Sequence, residues 1–443
     1  MQEWSGHALL GLRAAEALPE WEMSLLQPDM RPDSLARPFF PKIHSVVEKL
    51  AAMCLILDWV YIPEFRRYCL QPGGRWVPHT LAAADGSAAI TAQKPVSCTA
   101  NLALLQDMLQ ALVVALQARD WEEALRRAGV LGHFVQEPFT PGHSTNNELF
   151  AQIFPDPVSG RHLRMHHFFD SASGDFLADA PRLLGTSVIE CALNLLEAMR
   201  RGGRDSRKYI PAVVTAAYAG ADPRRLQEIL APASQQAASL TASAWHSAFC
   251  LAFQRFEAAD CAWLAERGLG ELLPIFIHPS LYQEVIPGYL VENGYLQPLW
   301  AWEKDGLGRQ REVHISAGFA MYGHAGIKYF LGSGVYHEFR CRVGLPSRAR
   351  SGQDEHTRVL FAIETDAQEN TVYSEDIEYG AQRQLEIELL PDQPLQEITV
   401  PLQNASTMLL TARCFPYTSA EGDSLFSIPS VIIAEPVLCK NAG

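Results

Sequence analysis

The sequence predicts a multidomain chain of α and β parts. An all-α domain is expected over residues 1–285, a linker over 286–312 and an antiparallel β-sandwich over 313–443. Three observations predict it. At 443 residues the chain is longer than one hydrophobic core can serve, so two or three domains are expected. Through the first part, apolar residues recur at three- and four-residue spacing, the period of a buried helix face. From Val313 the pattern changes to short runs of β-branched and aromatic residues, several alternating, with turn-forming clusters between them.

In order along the chain, the helical segments are HSVVEKLAAMCLILDWV (44–60), NLALLQDMLQALVVALQA (101–118), WEEALRRAGVLGHFVQE (121–137), SVIECALNLLEAMRR (187–201), KYIPAVVTAAYAG (208–220) and SQQAASLTASAWHSAFCLAFQRFEA (234–258). Asp120, Asp222 and Ser234 stand where N-caps are expected, because their side-chain oxygens can accept from the first free helix N–H groups. The strands read KYFLGSGVYHEFRCRVGL, TRVLFAIETD, NTVYSED, RQLEIELL, LQEITVPLQN and TMLLTARCF, a spacing that argues for a β-sandwich.

Composition narrows the function. Hydrophobic content of 48% with 19% charged residues is ordinary for a globular chain, and no run of apolar residues reads as a membrane span. Net charge is −14, which disfavours bulk attraction to duplex nucleic acid or an anionic membrane. Nine dispersed cysteines contain no CxxC pair, so they read as reduced thiols, and none stands in a zinc-ligand pattern. With no basic and apolar leader at the N-terminus, a cytoplasmic location is expected, or a secreted one if the chain is a processed mature form.

Chemistry concentrates between positions 133 and 170. His133 and Glu137 are four apart, as are His166 and Asp170. On a helix that spacing puts both side chains on one face with Cβ atoms ~5–6 Å apart, so an imidazole and a carboxylate can close on one ion. Pro138, Pro141 and Gly142 interrupt the first helix and deliver His143 from a turn. Nitrogen and oxygen donors of this kind suit zinc, and clustered divalent ions point to phosphoester hydrolysis. Each histidine taken alone has an ordinary reading as a satisfied core or surface residue; five ligands in register do not. Upstream, Trp4 and His7 lie near the start, and IPEF (62–65) with RWVPH (75–79) supplies Glu64 and His79, Asp58 being the rival to Glu64.

In order and spacing, these residues resemble the superfamily of zinc-dependent phospholipases C and single-strand-specific nucleases, over residues 4–170 and in helical content to about 280. The resemblance implies an all-α fold with two or three zinc ions. One would be held by Glu64, His79, His133 and Glu137, and a second by His143, His166 and Asp170. A third would lie on Trp4, His7 and a bridging Glu137. Two ligands depart from the family pattern, Glu64 and Glu137 standing where aspartates are usual, and in the family the tryptophan is the first residue of the mature chain. The resemblance further implies a zinc-activated water attacking phosphorus, with Glu64 and Glu137 as the catalytic carboxylates. The expected substrate is a phosphoester, phospholipid first, and Phe134, Phe139, Phe168 and Phe169 are candidates for an apolar pocket floor as well as for plain core. His79-Thr80-Leu81-Ala82 offers no ring on which a base would stack, which lowers the single-strand nuclease alternative. A weakly catalytic, zinc-stabilised binding protein is the remaining alternative.

The C-terminal part resembles the NPCBM carbohydrate-binding modules, galactose-binding-like jelly-rolls. The residues that carry this are Tyr329-Phe330-Leu331, Tyr336 to Phe339, Arg342 to Leu345, Val359 to Asp366, Val372-Tyr373-Ser374, Ile398 to Leu402 and Leu409-Leu410. A carbohydrate ligand is what the resemblance implies for this domain.

Overall fold

The computed structural model describes residues 6–28, 43–71, 74–83, 96–144, 175–278, 285–292, 295–348, 357–366, 381–415 and 429–440. The chain divides into two compact units, Met1–Cys261 and Ala262–Gly443. The first is helical, the second is built of antiparallel strands.

In the helical unit, α1 spans Gly6–Glu16, α2 Glu20–Leu25, α3 Val46–Met53, α4 Pro63–Arg66, α5 Cys98–Gln117, α6 Trp121–Gln136, α7 Val188–Ser206, α8 Ile210–Tyr218 and α9 Pro223–Phe253, with α10 (Ala258–Leu264) at its end. Local sequence explains the starts. Ser45 and Glu48 form a reciprocal capping box on α3, and Asp120 caps α6 by accepting from the Glu123 N–H. Asp222 likewise caps α9. Ser234, expected as a cap, instead lies inside α9, because the helix runs straight through Pro232. Apolar residues pack on both sides of that proline, Leu226 and Leu230 before it and Ala237 and Ala238 after it. Tertiary burial there outweighs the missing N–H.

Two glycines set the spacing around α6. A Cβ on Gly129 would lie 2.3 Å from the Met53 carbonyl oxygen, and one on Gly132 would lie 2.8 Å from the Trp245 ring. The absence of side chains at these two positions lets α6 sit against both α3 and α9, and Trp245 Nε1 donates to the Ala128 carbonyl at 2.8 Å. Against the expectation of no spanning segment, α5 is by length and composition apolar enough to cross a bilayer. Its face of Leu102, Leu105, Leu109, Leu112 and Leu116 is buried, and it packs on α6, α7 and α9, as a core helix does.

In the β unit, one five-stranded sheet runs β1-β13-β8-β11, with β6 also on β13; another runs β10-β9-β12-β7-β2. The strands are β1 Glu266–Gly268, β2 Phe276–His278, β6 Gly318–Tyr322, β7 His324–Phe330, β8 Glu338–Gly344, β9 Arg358–Thr365, β10 Gln382–Leu389, β11 Gln396–Pro401, β12 Thr407–Phe415 and β13 Ser430–Cys439. Alternation places Phe339, Cys341 and Val343 of β8, and Ile398 and Val400 of β11, in the core. The antiparallel β-sandwich expected from sequence is present. NTVYSED lies outside the described residues.

The expected linker is not one. Residues 286–312 supply β3 (Tyr289–Glu292), β4 (Tyr295–Lys304) and the start of β5 (Gln310–Ile315), a three-stranded sheet. Leu290, Leu299, Ala301 and Ile315 bury together with Ala320, Ile432 and Ala434, so this segment has a core of its own to join. Strand pairing begins at Glu266, before both the expected boundary at 285 and Val313.

Candidate metal centre

Four imidazoles converge on one buried carboxylate in the helical unit. Glu137 begins the 3₁₀ turn Glu137–Phe139 that closes α6, one helical turn past His133. His133 Nε2 lies 2.9 Å from Glu137 Oε1, with His7 Nε2 and His79 Nδ1 each 3.5 Å from the same oxygen. His143 Nε2 lies 2.8 Å from Oε2. The Glu137 side chain is 3% exposed, and that of His79 is 55%, so the cluster opens to solvent on the His79 side.

Each histidine is held by a separate local device. His133 is fixed by α6. Its Nδ1–H donates at 2.7 Å to the carbonyl of Cys54, the C-cap of α3, one of the acceptors a helix end leaves unpaired. His7 lies in the first turn of α1, stacks on His133 with ring centroids 3.9 Å apart, and donates from Nδ1 to Gln136 Oε1 at 3.0 Å. His79 sits on a segment pinned at both ends. The Val77 N–H donates to Cys69 O at 2.8 Å, and Asn101 exchanges hydrogen bonds with the backbone of Ala82. His143 comes from the 3₁₀ turn Pro141–Ser144, where its N–H donates to Thr140 O.

The hydrogen bonds select tautomers. A carbonyl only accepts, so His133 carries its proton on Nδ1, and Nε2 turns a lone pair toward Glu137. His7 also donates from Nδ1, to Gln136, but it is held as an imidazolium, so its Nε2–H faces Glu137. Burial and the nearby His7 charge hold His133 below the usual histidine range. A neutral nitrogen and a carboxylate oxygen, both acceptors, therefore face each other 2.9 Å apart. Burial opposes protonation of His7, but Glu137 and the more distant Asp58 outweigh it and raise His7 to about 9. Burial would raise Glu137, yet the surrounding imidazoles hold it well below the carboxylate range. Even so, Glu137 Oε2 is buried and receives no hydrogen bond of acceptable geometry among the described residues, although His143 Nε2 lies 2.8 Å away. The His133 lone pair set against an anionic oxygen, within a ring of imidazoles, is what a bound cation satisfies, and the imidazole and carboxylate donors suit zinc.

Two overlapping sets of ligand atoms lie within 4.8 Å of one another: His7, His133 and Glu137, and Asp58, His79 and His133. The structure thus brings His7, His79, His133, Glu137 and His143 together. Glu64 belongs to neither set and stands exposed on α4. Its place just after Pro63, in the first turn of a short helix, is a favourable position for a carboxylate at a helix N-terminus. Asp58, the rival weighed from sequence, takes the position near His133, with Oδ2 4.0 Å from Nδ1. Gln136 was not singled out from sequence; its position beside Glu137, at the end of the helix that carries His133, was the available signal. Trp4, His166, Asp170, Phe168 and Phe169 lie outside the described residues. Phe134 is core, whereas Phe139 lines a pocket beside His7 together with Leu10, Thr140 and Pro141.

No family model matches the chain, and no curated protein matches it. Solved structures similar to it include the alpha-toxin of Clostridium absonum, at 10% identity and TM-score 0.32, covering 99% of this chain and 97% of that one. The alpha-toxin of an avian strain of Clostridium perfringens is similar at 9% identity and TM-score 0.30, covering 92% of this chain and 86% of that one. A carbohydrate-binding module of Clostridium perfringens, solved with methyl-galactose, is similar at 16% identity and TM-score 0.26, covering 39% of this chain and 99% of that one. The chain spans 31% of another such structure, the CBM51-2 and INT domains of Clostridium perfringens ZmpB, at 13% identity and TM-score 0.26.

Proposed function

We propose that the helical unit is a zinc-dependent phosphoester hydrolase of phospholipase C type. The observation that carries the reading is the convergence of four imidazoles on Glu137, with the rings of His133 and His7 oriented toward it by Cys54 and Gln136. His7, His133 and Glu137 would hold one ion, Asp58 and His79 would serve a neighbouring one, and His143 would complete the set through the Glu137 Oε2 side. Trp4, His166 and Asp170 remain in the proposed ligand set on the sequence resemblance. Bound zinc supplies a Lewis acid and a water acidified toward neutrality.

The chain's own residues do the rest. Glu137 compensates positive charge inside the site and, through its burial, keeps the donors from collapsing into hydrogen bonds with solvent. Asp58, whose carboxylate faces solvent, is the group suited to take a proton at the mouth, the role assigned from sequence to Glu64. Leu10, Phe139 and Pro141 give the small adjoining pocket an apolar wall beside His7.

The test is hydrolysis by the full chain, loaded with zinc, of phosphatidylcholine, single-stranded DNA and a bis-aryl phosphodiester. Turnover of the lipid with none of DNA supports the reading. Turnover of DNA alone moves the assignment to a nuclease, and no turnover of any substrate contradicts it. For the β unit we propose carbohydrate recognition, supported by its strand residues alone. Titration with methyl-galactoside checks it, and no saturable binding contradicts it.

A further inference from the structure

Away from Glu137, three ligand-competent side chains meet at a second place in the helical unit. His246 and Cys250 are four apart on α9 and so share a face. The Cys250 Sγ lies 3.6 Å from His246 Nε2 and 3.8 Å from Nδ1. From α2, Glu22 reaches the same point, its Oε1 accepting from His246 Nδ1 at 2.5 Å. One donor atom from each of the three lies within 4.8 Å of the others.

The Glu22 side chain is fully buried, and its Oε2 has no hydrogen-bond partner among the described residues. A carboxylate oxygen taken from water and left without a donor costs several kcal/mol in a static accounting, so the position asks for a cation. The neighbouring guanidinium of Arg255 is engaged over the Trp21 ring, 4.4 Å from its centroid. A tetrahedral ion with bonds of ~2.0–2.3 Å holds its ligand atoms ~3.3–3.8 Å apart. The sulfur–nitrogen separations already fall in that range; only the Glu22–His246 contact has to open, by ~1 Å.

We propose that Glu22, His246 and Cys250 form a second metal site, which takes a divalent cation of borderline softness, zinc by chemical preference. The thiolate excludes magnesium and calcium, which want oxygen alone. On binding, the Cys250 thiol proton and the proton between Glu22 and His246 leave to solvent, and the ion replaces that proton as the counter-charge to the Glu22 carboxylate. The gain is mechanical. α2 has six residues and no side-chain hydrogen bond at its N-cap, so little within itself holds it. An ion would staple it to α9. The site is independent of the proposed hydrolase reading, because none of its residues is shared with the Glu137 cluster.

Sulfur makes the test specific. Cobalt titrated into the full, metal-free, reduced chain should give the near-ultraviolet thiolate-to-cobalt charge-transfer band, which the nitrogen and oxygen donors around Glu137 cannot produce. Cys250→Ser should abolish the band, Cys54→Ser at the end of α3 should keep it, and bound zinc should fall by about one ion per chain in Cys250→Ser alone. Glu22→Gln, which keeps the side-chain shape, should weaken cobalt binding at the band at least tenfold. Absence of the band in the parent chain overturns the proposal without reference to any variant. So does a band that persists in Cys250→Ser, or an affinity unchanged in Glu22→Gln.

Discussion

Gly129→Ala probes how the fold positions the metal centre. Alanine is the better helix former by ~1 kcal/mol, so with room to spare the change would stabilise α6. There is no room. The added Cβ would lie 2.3 Å from the Met53 carbonyl oxygen, 2.4 Å from its carbon and 2.5 Å from the Met53 Cβ, where ordinary carbon contacts need ~3.5 Å. Relief requires α6 and α3 to part by ~1 Å, and both contacting groups are backbone or adjoin it, so no rotamer change absorbs the clash. The next residue along α3, Cys54, is the acceptor for His133 Nδ1 at 2.7 Å. Parting the helices by ~1 Å takes that bond past the hydrogen-bonding limit. Overpacking of ~1–3 kcal/mol and the loss of one buried hydrogen bond of ~1 kcal/mol give a destabilisation of about 2–4 kcal/mol. Because the carbonyl that orients His133 is lost, zinc affinity should fall ~10–100-fold. Urea unfolding of the metal-free chain reads the first quantity, and competition with a zinc chelator reads the second. A variant within ~0.5 kcal/mol of the parent, with unchanged zinc affinity, would refute the reasoning.

Four further outcomes are expected. Glu137→Gln removes the buried anion that four imidazoles face, and should cost the metal-free chain ~3–5 kcal/mol in urea unfolding. His143→Ala should abolish hydrolysis while far-ultraviolet circular dichroism stays unchanged, since His143 stands on a short turn beyond α6; unchanged turnover would remove it from the site. Zinc affinity should rise with pH. His7, raised to about 9 in the metal-free chain, holds a proton at neutral pH that the metal must displace, so the gain continues until the solution passes that value. Calorimetry in buffers of different ionisation enthalpy should show proton release at pH 7 and little at pH 10, and a flat profile would count against the His7 assignment. Gly202→Ala, whose Cβ would meet the Phe139 ring at 2.3 Å, should displace that ring and raise the KM for a lipid substrate more than it lowers kcat.

Legibility in the sequence followed how local each interaction is. His133 and Glu137 were readable because one helix sets their relation, and His143 because prolines and a glycine announce the turn that carries it. The pairing of His133 with the Cys54 carbonyl was not, since it depends on glycines at a helix crossing. Glu64 stands outside the cluster, where a carboxylate behind a proline serves a helix N-terminus, while Asp58 sits in an irregular turn whose direction no periodicity reveals. His246 and Cys250 carry the same four-residue spacing as His133 and Glu137, but α2, which completes the group, lies more than two hundred residues away in the chain. In the β unit, the alternation of β8 and β11 exposed the sandwich, whereas β4 has four exposed residues before its first buried one and read as a linker.

The central claim is that the Glu137 cluster binds zinc and hydrolyses phosphoesters with it. Turnover of a bis-aryl phosphodiester, followed through chelation and zinc re-addition in the parent chain and in Glu137→Gln, tests it most directly. The account predicts turnover that is lost on chelation, restored by zinc, and absent from Glu137→Gln at every zinc concentration. A parent chain that takes up zinc yet turns nothing over, or a Glu137→Gln chain as active as the parent, would contradict it.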